Sequence, residues 1–141
     1  MKEYKVGASI IFHPEYYIMH CRKPGIDNGE VNKLGLYGGQ FDPIEDNDTR
    51  DTASRELTEE SGVSIPVESF RPQKSIFVKS ERNNEAILTE ADIFLIQLPI
   101  DVTDKMFRNG EPMTERDLRR AKALGELTSV AAEALTKNGV I

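Results

Sequence analysis

Glu56, Glu59 and Glu60 follow one another at the spacing of one helical face. At about 100° per residue, positions three and four apart lie together, so the three carboxylates share an arc of roughly 100°. Ala53 and Leu57 form a neighbouring apolar stripe, which lets one helix pack on a sheet and present charge at the same time. Crowding three negative charges costs stability through repulsion, and a divalent cation would offset it. Mg2+ prefers carboxylate oxygens, keeps several waters and commonly completes its shell with phosphate, so the chemistry suggested is phosphoryl chemistry, with Mn2+ as a substitute ion. A solvated acidic face is the ordinary alternative for such a cluster, and the surrounding pattern must decide between them.

The elements that would position these residues are legible. Asp48 or a near neighbour is placed to cap the helix, Asp51 sits favourably in its first turn, and Gly62 supplies a left-handed stop after Ser61, with Pro66 beyond. Before it, Tyr4 to Phe12 and Tyr16 to Cys21 are β-favouring runs separated by His13, Pro14 and Glu15, which predicts a hairpin. Lys23 to Lys33 is polar and turn-rich, a surface loop, and Leu34 to Phe41 is short, apolar and rich in glycine. After the helix, Gln73 to Lys79 and Ala91 to Leu98 are strand candidates, with a turn at Asn83 and Asn84 and Ala86 to Leu88 as an extension of the second strand. A short helix is expected around Glu115 to Ala123. A last one runs from Thr128 or Ser129 to Lys137, burying Val130, Ala131, Ala134 and Leu135 and stopping at Asn138 and Gly139.

The whole chain sets bounds on function. Its 141 residues fit a single domain, 1–141, and 38% hydrophobic with 30% charged residues suits a globular core. The net charge of -6 repels polyanions on average, which argues against a nucleic acid polymer as partner and requires a phosphate ligand to bring a cation or find a local patch. The one cysteine, Cys21, has no internal disulfide partner, pointing to a reducing, cytoplasmic setting. Val6 to Phe12 is too short to span a membrane and is followed by no small-residue cleavage site, so it is expected to be a buried strand.

Gly39, five residues, Glu45, and then Arg55-Glu56-Leu57-Thr58-Glu59-Glu60-Ser61-Gly62-Val63 resembles the box of the Nudix hydrolases, MutT-like enzymes whose pattern is G-x5-E-x7-R-E-U-x-E-E-x-G-U with U aliphatic. Two departures fall on the loop entering the helix. Nine residues rather than seven separate Glu45 from Arg55, and Ile44 stands where a glycine often precedes the first glutamate. The order of elements on either side, including Gly125-Glu126-Leu127 before the last helix, is also similar to that family.

The resemblance implies an α/β fold, a Nudix-type α/β/α sandwich around a central mixed β-sheet. It implies metal-dependent hydrolysis of a diphosphate linkage in a nucleoside diphosphate derivative, by attack of water at phosphorus. Glu59 and Glu60 would be metal ligands, Glu56 a further ligand or the group that orients or deprotonates water, and the carbonyl of Gly38, just before the box glycine Gly39, another ligand. Arg55 would hold the glutamates by salt bridges, and Glu45 is a weaker ligand or supporting candidate. A further acid from a late loop would be Glu111, Glu115 or Asp117. A nucleoside triphosphate, a nucleotide sugar and an ADP-ribose type of substrate all remain open, as does a homodimer.

Two other classes compete. The acidic run Asp42, Glu45, Asp46 and Asp48 suggests a calcium loop, but neither register supplies the oxygen ligands and glycine of an EF-hand. A catalytically silent Nudix-like domain that binds a nucleotide or a protein is the other. His13 and His20, near strand ends, receive no role. Tyr16 and Tyr17 for a base, and Arg22, Lys23, Arg71, Lys74, Lys79 and Arg82 for phosphate or ribose, are outweighed by packing and by a charged edge respectively.

Overall fold

The computed structural model describes residues 1–21, 32–98 and 103–141. Most of the expected Lys23 to Lys33 loop, together with Arg22 and Pro99, lies outside the described residues. Among the described residues, eight strands form a mixed sheet: β1 (Lys2–His13), β2 (Tyr16–Cys21), β3 (Leu34–Gly35), β4 (Tyr37–Gln40), β5 (Arg71–Pro72), β6 (Ile76–Arg82), β7 (Glu85–Gln97) and β8 (Glu111–Met113). The helices are α1 (Thr49–Ser61), α2 (Thr103–Asn109), α3 (Glu115–Ala123) and α4 (Ser129–Lys137), and a 3-10 turn covers Val67–Ser69.

The long strands β1 and β7 pair in parallel from Lys2↔Ile87 to Phe12↔Gln97 and form the axis of the sheet. The opposite edge of β1 is shared: β4 pairs with its middle through Val6↔Gln40 to Ser9↔Tyr37, and β2 with its end through Ile11↔Ile18 to His13↔Tyr16, both antiparallel. The β6–β7 hairpin turns at Asn83 and Asn84, both at positive φ, a conformation asparagine tolerates better than most residues.

Side chains alternate between the two faces of the sheet, as a period of two requires. Ala8 and Ile10 of β1 and Ala91 and Ile93 of β7 enter one core with Leu118 of α3 and Ala131, Ala134 and Leu135 of α4. Ile11, Phe94 and Ile96 enter the other with Tyr37 and with Ala53 and Leu57 of α1. The molecule is thus an α/β structure with helices on both faces of a mixed sheet. Val130 is partly buried at the margin of the first core rather than within it, because it sits at the start of α4 where the helix leaves the sheet.

Three local expectations change. The strand expected from Gln73 begins at Ile76, since 71–72 already pair with β7 and Gln73 N donates to the Ile93 carbonyl as the chain crosses over. β8 is a short edge strand beside β2, too brief to carry its own alternation. α2, over Thr103–Asn109, is a helix that the sequence reading did not predict. It serves α1: Lys105 Nζ donates to Gly62 O at 2.8 Å and Asn109 Nδ2 to Ser61 O at 2.8 Å. α1 has no basic residue in its own last turn, so the cation that suits its negative end arrives from another element.

Candidate active site on the box helix

α1 is capped by Asp48, whose carboxylate accepts from Asp51 N at 2.9 Å, and stops at Gly62 with φ 73°. Its approach to the sheet is unusually close. A Cβ at Gly7 of β1 would collide with the Thr49 carbonyl oxygen, so only glycine lets the helix settle there. Thr49 Oγ1 donates to Asp92 of β7 at 2.7 Å, fixing the start of the helix. These contacts bring the other end of α1 against β4.

Phe41 N donates to Lys5 O at 2.8 Å, which makes Gly39↔Gly7 and Tyr37↔Ser9 the hydrogen-bonded pairs of the β1–β4 ladder. The amides and carbonyls of Gly38 and Gln40 therefore point away from β1, toward the glutamates. Gly38 N donates to Glu60 Oε1 at 2.9 Å, and Gln40 O accepts from Arg55 Nη2 at 3.3 Å. The Gly38 carbonyl faces the same side. At Gly39 a Cβ would occupy the place of the Glu56 carboxylate, so the missing side chain is what lets that carboxylate lie against the strand.

Arg55 is the hub of the polar network. It makes a bidentate pair with Asp46, Nε to Oδ1 at 3.0 Å and Nη2 to Oδ2 at 2.9 Å. Nη1 donates to Glu56 Oε1 at 3.1 Å and reaches Glu59 Oε1 at 3.4 Å. Asp46 is buried, and its Oδ2 also accepts from Thr52 Oγ1 at 2.8 Å and Asp42 N at 3.0 Å. The Arg55 hydrogen bonds hold the Asp46 carboxyl far below the usual carboxylate range, and reciprocally push the guanidinium above its ordinary value.

Glu45, the box glutamate by sequence, is exposed and lies 3.5 Å from the Nε of Arg55. In the longer loop the neighbouring Asp46 fills the buried position. No sequence signal separates Asp46 from Asp42, Glu45 and Asp48.

The three glutamates have different surroundings. Burial, opposed by Arg55, raises the pKa of Glu56, while Glu59 is 56% exposed at its side chain. Glu60 is bonded to Gly38 N and lies 3.3 Å, Oε2 to Nε2, from His20 of β2. Tyr37, buried beside it, has its hydroxyl pushed up to about 12, by desolvation first and the Glu60 charge second. His20, which the sequence reading named but gave no role, is brought beside Glu60 by the register of β2.

Of the late-loop acids, two have other partners. Asp117 closes the capping box of α3 with Thr114, whose amide lowers its pKa, and Glu115 pairs with Arg119 at 2.8 Å. Glu111 and Asp117 border a separate cleft of about 310 Å³ that contains none of the α1 glutamates.

A cleft of about 530 Å³ opens on the opposite face of β4, floored by Val6, Ala8 and Ile87 and bounded by the start of α4. Tyr4, Lys33 and Arg82 stand on its wall, and Gly38, Gly39 and Gln40 form the wall shared with the glutamates. Lys33 lines this cleft, a position that the sequence reading had not singled out.

The donor set fits a hard cation: Glu56, Glu59, Glu60 and the Gly38 carbonyl offer oxygen only, and Gly39 leaves room for the Glu56 carboxylate. Among the described residues, no group of three or more Asp, Glu, His or Cys side chains converges closely enough to hold a metal ion without further ligands. An open arrangement is what Mg2+ uses when waters and phosphate complete its shell.

No protein-family model and no curated protein matches the sequence. Solved structures do match. The MutT NUDIX hydrolase of Burkholderia pseudomallei superposes with TM-score 0.69 at 20% identity, over 96% of this chain and 98% of that one. The Ap4A hydrolase of C. elegans gives 0.59 at 14%, over 99% and 93%. The NUDIX domain of Shewanella oneidensis NrtR, solved with ADP ribose, gives 0.63 at 14%, over 99% and 86%. This chain spans 58% of the length of the NrtR chain solved with a 27mer DNA. At these identities the likeness is one of fold, and the fold is the Nudix fold.

Proposed function

We propose that this chain is a Nudix hydrolase, a single domain over 1–141, that uses Mg2+, or Mn2+ in its place, to cleave a diphosphate linkage in a nucleoside diphosphate derivative. The observation that carries the reading is the double role of Gly38 and Gly39. One strand segment walls the 530 Å³ cleft on one side and supports Glu60 and Glu56 on the other. A ligand lying across that segment has its nucleoside end in a partly apolar pocket and its diphosphate at the carboxylates.

The Mg2+ held by Glu59, Glu60, the Gly38 carbonyl and, in one division of labour, Glu56 would neutralise the diphosphate and lower the barrier to attack by water. Arg55 fixes the direction of Glu56 and Glu59, and Asp46 fixes Arg55. Glu56 is the candidate to accept a proton from water, since its raised pKa makes it a better base than an exposed glutamate. Lys33 and Arg82 on the cleft wall suit a phosphate or ribose oxygen. Nucleoside triphosphates, nucleotide sugars and ADP-ribose type compounds are the substrate classes proposed, in a cytoplasmic setting with or without a homodimer. Among the described residues no helix is long and apolar enough to cross a membrane.

The test is release of phosphate, pyrophosphate or nucleoside monophosphate from a panel of these compounds, with and without Mg2+, for the natural chain, Glu59→Gln and Glu60→Gln. Metal-dependent turnover that falls by about 10² to 10⁴ in both variants supports the reading. Tight nucleotide binding with no turnover of any compound would replace it with that of a silent binding domain, a reading that the complete glutamate set argues against.

A further inference from the structure

Glu60 differs from its two partners in what holds it. Glu56 and Glu59 answer to the Arg55 guanidinium, whereas Glu60 is clamped from the sheet side. One oxygen accepts from Gly38 N at 2.9 Å and the other lies 3.3 Å from His20 Nε2. The imidazole is itself fixed: His20 is paired with Gly35 in the β2–β3 ladder, its side chain is 15% exposed, and its ring lies against that of Tyr37 with centroids 4.9 Å apart. Tyr37 in turn is fully buried and held by its ladder with β1. Thus a rigid stack runs from the core to one carboxylate oxygen.

A carboxylate offers about four lone-pair directions, so an amide donor on one oxygen and an imidazole nitrogen 3.3 Å from the other set its direction without exhausting its capacity to accept. Groups that hold a metal ligand from outside fix its direction and raise its basicity, and their loss typically costs about 10 to 100-fold in metal affinity or activity. We propose that His20 is a positioning residue for Glu60, aiming that carboxylate at the metal position through its Nε2–H. Both the Nε2-protonated neutral ring and the imidazolium carry this hydrogen, so the contact does not depend on the charge of the ring. The inference rests on the proposed role of Glu60 as a metal ligand.

The experiment measures Mn2+ binding to the full chain without substrate, by electron paramagnetic resonance of free Mn2+, for the natural chain, His20→Gln, His20→Leu and Glu60→Gln. Thermal melting is run on each. Glutamine carries an amide N–H at comparable reach, whereas leucine fills the space with no donor. The expected result is a Kd weakened about 10 to 100-fold in His20→Leu and within about threefold of the natural chain in His20→Gln, at similar melting temperatures. If His20→Leu does not fold, His20→Met supplies the donor-free comparison.

Natural affinity in the donor-free variant, beside weakened binding in Glu60→Gln, overturns the role of His20 and leaves the metal-ligand reading standing. Equal weakening in His20→Gln and His20→Leu also overturns it, since the donor would then not be what matters. Unchanged binding in Glu60→Gln, or no Mn2+ bound by the natural chain, removes the ligand role of Glu60 and the inference with it.

Discussion

Helices α1 and α4 lie on opposite faces of the same sheet and are closed by similar devices, yet they are held by different forces. Each has a side-chain N-cap, Asp48 in one and Thr128 in the other. α4 buries Ala131, Ala134 and Leu135 in an apolar core. α1 buries Ala53 and Leu57 in the other apolar core together with the polar Thr49, Thr52 and Ser61, a more polar set. What α1 lacks in hydrophobic contact it replaces by close approach over Gly7 and by polar pins to Asp92, Asp46 and Asn109. A helix that must aim charged groups is placed by directional bonds, because apolar packing is non-directional and tolerates sliding.

The largest expected effect that would break this contrast is at the polar pin. Asp46→Asn removes the charge from a buried bidentate pair and should cost about 3 kcal/mol at neutral pH, measured by urea unfolding. The folded pKa of Asp46 lies below its unfolded value of about 3.9. The pair's contribution is therefore complete above that value and is lost only as pH falls through the lower, folded one. Natural and variant proteins should converge only in strong acid. A loss under 0.5 kcal/mol, roughly that of an exposed pair, would mean that α1 is not anchored through Arg55.

Next is the close approach. Gly7→Ala drives a methyl into the Thr49 carbonyl and the Ala53 amide, so the helix must lift away. A cost of about 2 kcal/mol is expected, with a loss of turnover as the glutamates move from β4. Gly125→Ala before α4 is the matched control. Its Cβ meets nothing, only the φ of 70° resists, and about 1 kcal/mol is expected in thermal melts. Equal costs at the two sites would remove steric fit as the distinguishing feature of α1.

Capping is where the helices should agree. Asp48→Ala and Thr128→Ala each remove one side-chain acceptor from a helix start, and each should cost about 1 kcal/mol by denaturant unfolding. A large difference between them would show that one cap also carries tertiary strain.

The smallest effect has the opposite sign. Burial raises the Glu56 pKa, so its ionised form is disfavoured in the fold, and this penalty develops as pH rises from the unfolded value through the folded one. Glu56→Gln should stabilise the metal-free protein by about 0.5 kcal/mol at neutral pH while removing turnover, and the gain should vanish in acid below about pH 4. Destabilisation in calorimetry at neutral pH would mean that the Arg55 contact outweighs burial at this carboxylate.

The helix that carries the site was legible because its signals are local. Asp48, the 56–59–60 spacing and Gly62 lie within one element, and helical periodicity converts them directly into a capped helix with a shared acidic face. The last helix and the β6–β7 turn were legible for the same reason. α2 and β8 were not, since each is short and owes its existence to what it touches: the end of α1 for one, the edge of β2 for the other.

The sequence by itself determined that three carboxylates share a face, that glycines precede them and that a sheet flanks them, because covalent spacing and backbone period set these relations. The tertiary structure decided which acid holds Arg55, that Glu60 faces His20, and that Gly38 and Gly39 stand between the glutamates and a cleft. Those depend on strand register and on how near a helix can come to a sheet. A shift of one residue in the β1–β4 ladder would turn the Gly38 amide away from Glu60 and leave every local signal in the sequence unchanged.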